Sequence, residues 1–175
     1  MHVNSTLTVV KGMLMETIFD VVIRRDAKVT LHRFINYFKG FEKVGAVREL
    51  FGDETEEVLN NLKVEFGSRG YMGVSDEDGH LIINASYLRD GDKREIYLDI
   101  IHELVHVKQF RNGIELHDNR FGYTNRPTEI EAYTHTVKVA RSIGMTEKEI
   151  YEYLKMERLS EEDVKNLAAA VNVKP

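Results

Sequence analysis

The sequence predicts an α+β chain, and three observations predict it. Apolar residues recur at helical spacing toward both ends. Residues 62–66 alternate apolar and polar side chains, the period of a half-buried strand. Residues 92–111 form a long, largely apolar run of helical period, which Asn112-Gly113 can close.

In chain order, the first sixty residues read as helical, with helices expected over 8–24, 31–38 and 54–62. Gly40, Gly45 and Gly52 punctuate them. Strands are then expected over 62–66, 71–75 and 80–86. Asp76-Glu-Asp-Gly79 supplies turn chemistry, so these should form a small, mainly antiparallel sheet. Beyond the long helix, residues 114–126 are a loop, and a second helix begins at Pro127 and stops near Ile143-Gly144. Thr146 and Ser160 are each followed three residues later by an acid, the pattern of a capping box, and they open two short C-terminal helices. The expected division is an N-terminal helical segment over 1–60, a core over 61–143 and a helical tail over 144–175. At 175 residues these should pack as one compact domain.

Composition narrows the function. Charged residues are 30% and the apolar set 42%, a globular balance. The net charge is -5 and no strongly basic stretch appears, so charge gives no reason to expect a nucleic-acid partner. The absence of cysteine excludes disulfides and thiolate metal sites. Residues 7–23 are apolar, but Lys11, Glu16 and Asp20 interrupt them, which does not suit a membrane span. They also lack the basic start and small-residue end of a secretory signal. The expectation is a cytoplasmic protein with no membrane partner.

Within the long helix lies His102-Glu103-Leu104-Val105-His106. Histidines four apart stand one turn apart on one helix face, so both imidazoles can reach one cation. Glu103 is rotated by about 100° from His102, beside such a cation and able to take a proton from its bound water. Random arrangement of this composition, with 7 histidines, would produce the five-residue pattern about 0.03 times. Context strengthens it. Asp99, His102, Glu103, His106 and Gln109 make one polar stripe on a helix that is apolar on its other sides, and is therefore expected to be buried. Buried histidines and acids need compensation, which a metal ion provides. The competing explanation is a pair of core histidines hydrogen-bonded to Asp99 and its neighbours.

A catalytic zinc ion takes three protein ligands and keeps an open position. A third histidine in the motif's immediate continuation is ruled out, because Gln109 and Asn112 stand where Gly and His would be needed. The downstream candidates are His117, Asp118, Glu129, Glu131 and His135. In the helix from Pro127, Glu129 falls on the apolar face with Ala132, Thr136 and Ala140. Glu131 and His135 point away from it by about 200° and 240°. Glu131 is better explained as solvated, or as part of a capping box with Thr128. Glu129 is the favoured ligand, with His117 and Asp118 as alternatives.

With these residues the chain resembles the gluzincin zinc peptidases. The resemblance rests on His102-Glu-Leu-Val-His106, 22 intervening residues and Glu129-Ile-Glu-Ala132, and covers roughly 62–143. In size it is similar to the minigluzincins, in which terminal segments can block the cleft. The resemblance implies a zincin-like fold with an active-site helix and a glutamate helix, Zn2+ on His102, His106 and Glu129, and Glu103 as general base. It also implies an extended peptide or protein substrate, pairing along residues 81–86 as an added strand. Many gluzincins carry an aspartate four residues after the glutamate ligand, where this chain has Tyr133. Tyr123, Arg126, Tyr133 and His135 are candidates to stabilise the oxyanion, with the two tyrosines preferred, although packing explains each equally well. Asp99 and Gln109 are placed to orient ligands or to be solvated. Three rivals accompany this reading: a zincin-like regulatory or binding protein, a latent peptidase occluded by its terminal segments, and a helical structural protein without metal.

Overall fold

The computed structural model describes residues 6–10, 13–18, 21–25, 31–155 and 159–174. The chain is α+β, as expected, and divides into two compact units, residues 1–97 and 98–175.

The first unit departs most from the sequence reading. Where one helix was expected over 8–24, the chain forms three strands: β1 (Thr6–Val10), β2 (Met13–Ile18) and β3 (Val21–Arg24). They pair antiparallel in sequence order. The reason is compositional. This stretch is rich in Val, Ile and Thr, whose branched side chains lose rotamer freedom in a helix and suit a pleated surface. The helix expected over 31–38 is also replaced. Leu31–Arg33 is a strand (β4), Phe34–Tyr37 a single helical turn (α1) and Phe38–Lys39 a short strand (β5) that pairs with β3. Pairing with strands distant in sequence outweighs the local helical period here. An additional helix, α2 (Gly45–Phe51), precedes the expected third one, α3 (Thr55–Asn61).

The remaining strands are β6 (Lys63–Gly67), β7 (Met72–Val74) and β8 (Leu81–Asn84). They do not form a simple meander. The order is β4-β6-β8-β7, with β8 parallel to β6 and antiparallel to β7. Strand β8 is therefore interior, and both of its edges are already occupied. Ala85 and Ser86 belong to helix α4 (Ala85–Asp90), which the Asn84 side chain caps by accepting from the Ser86 and Tyr87 amides. The expectation that substrate pairs along 81–86 is corrected accordingly: strand addition needs an unpaired edge, which β8 lacks. Phe34, Phe38 and Phe41 pack ring on ring in this unit's core, at centroid separations of 4.9 Å and 5.7 Å, and Tyr37 packs on Phe66 at 4.5 Å.

Helix α5 (Lys93–Arg111) begins at Asp92, whose carboxylate accepts from the Arg94 and Glu95 amides. It ends at Gly113, where φ is 72°, a left-handed conformation open to glycine at little cost. As its pattern predicted, α5 is apolar and buried on nearly all sides. Helix α6 (Pro127–Ser142) starts with proline in its first turn. Helices α7 (Glu147–Leu154) and α8 (Glu161–Ala170) both open with the expected capping boxes, Thr146 with Glu149 and Ser160 with Asp163. Loss of the Thr146 cap should be measurable. Thr146→Ala is expected to cost about 1 kcal/mol, a fall of roughly 2–4 °C in Tm by calorimetry. An unchanged Tm would show that the cap does not contribute to stability.

Candidate metal centre

The candidate ligand residues lie in the second unit. His102 and His106 project from one face of α5, and Glu129 comes from the first turn of α6. Their relative exposures are 5%, 6% and 4%, so bulk water does not solvate them. The His102 and His106 Nε2 atoms are 3.0 Å apart. Glu129 Oε2 lies 3.3 Å from the first and 3.5 Å from the second. One ligand atom from each residue falls within 4.8 Å of the others, and the group could hold a metal ion.

These atoms are poorly satisfied by one another. Two imidazole nitrogens 3.0 Å apart can share only one proton. Glu129 Oε2 and His102 Nδ1 are buried and make no hydrogen bond. Leaving buried polar atoms unpaired costs on the order of 1–3 kcal/mol each, more when charged, and each such atom calls for an explanation. A cation at the point of convergence would accept lone pairs from all three residues.

The charges of the three groups depend on one another. Burial alone would raise the Glu129 carboxyl, but the two imidazoles outweigh it and hold the group well below the usual carboxylate range. Burial likewise pushes His106 down, and the carboxylates of Glu129 and Glu103, with the Gln109 contact, outweigh it and raise the imidazole to about 9. His102 is lowered, by burial first and by the neighbouring His106 charge, against the pull of Glu129. The same charges that keep Glu129 ionised therefore hold a proton on His106, and a cation binding here would have to displace that proton. Glu103 is 7% exposed on the same helix, and its charge reaches His106.

The other sequence candidates fall elsewhere. His117 is exposed. Asp118 is gripped by the Arg120 guanidinium at 2.6–3.0 Å, which holds its carboxyl at about 2. His135 is half-buried and outside the converging group. The Tyr133 ring is buried edge-on against His102, with centroids 4.4 Å apart, and its hydroxyl is 2.9 Å from that of Tyr123. Burial, with Tyr123 and the nearby acids, keeps the Tyr133 phenol protonated far above the ordinary range. Asp99 accepts a hydrogen bond from Tyr153 on α7 at 2.8 Å.

Two expectations about α6 are corrected. Thr128 and Glu131 do not form a capping box. The N-cap is Arg126, and the Thr128 hydroxyl donates instead to the Leu116 carbonyl at 3.1 Å. Glu131 is not simply solvated: it accepts from the Gln109 side chain at 2.9 Å. Arg126, 3.7 Å from Glu129 Oε1, faces the carboxylate oxygen opposite the imidazoles. The three-residue spacing of His106 and Gln109 was the one sequence signal of the Gln109 contact, since residues so spaced share a helix face.

No family model, curated protein or solved structure matches the chain.

Proposed function

We propose that the chain is a zinc-dependent peptidase of the gluzincin type, with the second unit carrying the metal centre of a zincin-like fold. The observation that carries the proposal is the convergence of His102 Nε2, His106 Nε2 and Glu129 Oε2 at separations of 3.0, 3.3 and 3.5 Å. A tetrahedral ion with bonds of about 2.0–2.1 Å has ligand–ligand edges of about 3.3 Å, so the three distances suit zinc. Calcium prefers six or more oxygen donors and bonds of about 2.3–2.6 Å, and suits this donor set less well.

His102, His106 and Glu129 would hold the zinc, which would supply a Lewis acid for the carbonyl and lower the pKa of its water to about 7. The protein's own groups do the rest. Glu103, one residue from His102, accepts a proton from the attacking water and returns it to the departing amine. His102, with Tyr133 against its ring, and His106, with Gln109 on its far nitrogen, present their Nε2 atoms as ligands. Glu129 contributes Oε2 while Oε1 faces Arg126. The Tyr123–Tyr133 hydroxyl pair is the candidate donor to the developing oxyanion, with the Tyr133 phenol entering as a neutral donor.

Elemental analysis of purified protein should find one zinc per chain. Quenched fluorescent peptides and denatured casein should be cleaved, and a chelator should stop the cleavage. A metal-free protein that acquires no zinc from a buffered supply would eliminate the proposal. Stoichiometric zinc without hydrolysis would leave a metal centre and remove the peptidase.

A further inference from the structure

We propose that Gln109 is the positioning residue of this metal centre: its side-chain amide, oriented from helix α6, holds His106 with a proton on Nδ1 and the Nε2 lone pair toward the cation. The inference rests on the metal-centre reading above and specifies how one ligand is aimed.

An amide has one accepting end and one donating end, so its neighbours decide which way it lies. Gln109 Nε2 is 3.0 Å from the Thr128 carbonyl oxygen and 2.9 Å from Glu131 Oε2. A carbonyl and an ionised carboxylate can only accept, so this end is the NH2. Turned over, the amide would press its own carbonyl against two acceptors. Its Oε1 must therefore face His106 Nδ1, at 2.7 Å. A carbonyl oxygen can only accept, so Nδ1 carries the proton and Nε2 is left as the ligand. Gln109 is 1% exposed, so bulk water does not compete for these bonds while Glu131 is in place.

The support extends outward. Thr128 is itself held, its hydroxyl donating to the Leu116 carbonyl. Glu131 brings the chain of bonds to the surface, where its carboxylate is stabilised by solvent. One side chain on α5 is thus tied to Thr128 and Glu131 of α6, the residues that flank Glu129 and Ile130 at the start of that helix. Ligand orientation and helix pairing are set by the same three bonds. The two histidines are held differently: His106 has this relay, whereas His102 Nδ1 makes no hydrogen bond.

The test uses Gln109→Leu, Gln109→Glu, and Gln109→Glu combined with Glu131→Gln, each against wild type. Zinc affinity is measured by chelator competition, and folding separately by thermal unfolding in excess chelator. Both single variants are expected to bind zinc about 10- to 100-fold more weakly. The exchanged pair should recover part of the loss suffered by Gln109→Glu, because the amide at 131 donates to the carboxylate at 109 while the Thr128 carbonyl still faces it. In histidine 15N spectra of the zinc form, wild-type His106 should be metallated on Nε2 and show an Nδ1 proton protected from solvent exchange. That protection should vanish in Gln109→Leu. Wild-type affinity in Gln109→Leu, ligation through His106 Nδ1, or no recovery in the exchanged pair would each overturn the inference. Wild-type protein that binds no zinc overturns it together with the functional proposal. Zinc binding without peptide hydrolysis removes the peptidase alone.

Discussion

Glu129→Ala is expected to purify with almost no zinc, whereas Glu131→Ala retains close to one ion per chain. The two acids are separated by one residue, and their surroundings differ completely. Glu129 is 4% exposed, with Oε2 between two imidazoles. Glu131 is exposed, and it accepts a hydrogen bond from the Gln109 amide. Removing a direct ligand should weaken binding by more than the roughly 10- to 100-fold typical of residues that only orient ligands. Removing Glu131 leaves Gln109 bonded to the Thr128 carbonyl, and water can replace the lost acceptor. Glu129→Gln, which preserves shape, guards against a loss caused by misfolding and should also bind zinc poorly. If Glu131→Ala lost the metal while Glu129→Ala kept it, the third ligand would have to be reassigned by two residues.

Glu103→Ala is expected to show the opposite pattern, with full zinc and negligible hydrolysis. Glu103 is absent from the converging donor group, so its loss should not empty the site. A positioned general base contributes about 10²- to 10⁴-fold, and kcat should fall by that order while KM changes little. Glu103→Gln keeps the side-chain volume and should be equally inactive, which separates proton transfer from packing. Turnover at the wild-type rate in both variants, with zinc present, would remove Glu103 from the mechanism.

The His102, His106 and Glu129 cluster was legible in the sequence because helical spacing is local. A four-residue spacing sets two imidazoles on one face without reference to the rest of the fold. The same period separated Glu129 from Glu131 on α6, and it placed the capping boxes at Thr146 and Ser160. Long buried helices with strong end signals are the elements whose pattern survives folding, and α5 is one of them.

The N-terminal strands were not legible in the same way. Residues 8–24 have apolar positions compatible with either period, and partner strands decided among them. The place of β8 in its sheet was equally invisible, because strand order is set by pairing between segments far apart in the chain. That order removed the expected substrate edge. Orientation around the site is of the same kind. Nothing near Gln109 in sequence shows that its amide meets Thr128 and Glu131, since that contact exists only once α5 and α6 are in place. What the amino-acid order determined by itself was therefore the helical spacing that sets His102, His106 and Glu129 on inward faces. What only tertiary structure decided was sheet topology and the hydrogen bonds that aim the donors. Intrahelical geometry repeats every few residues, whereas strand partners and ligand supports are chosen across tens of residues by packing.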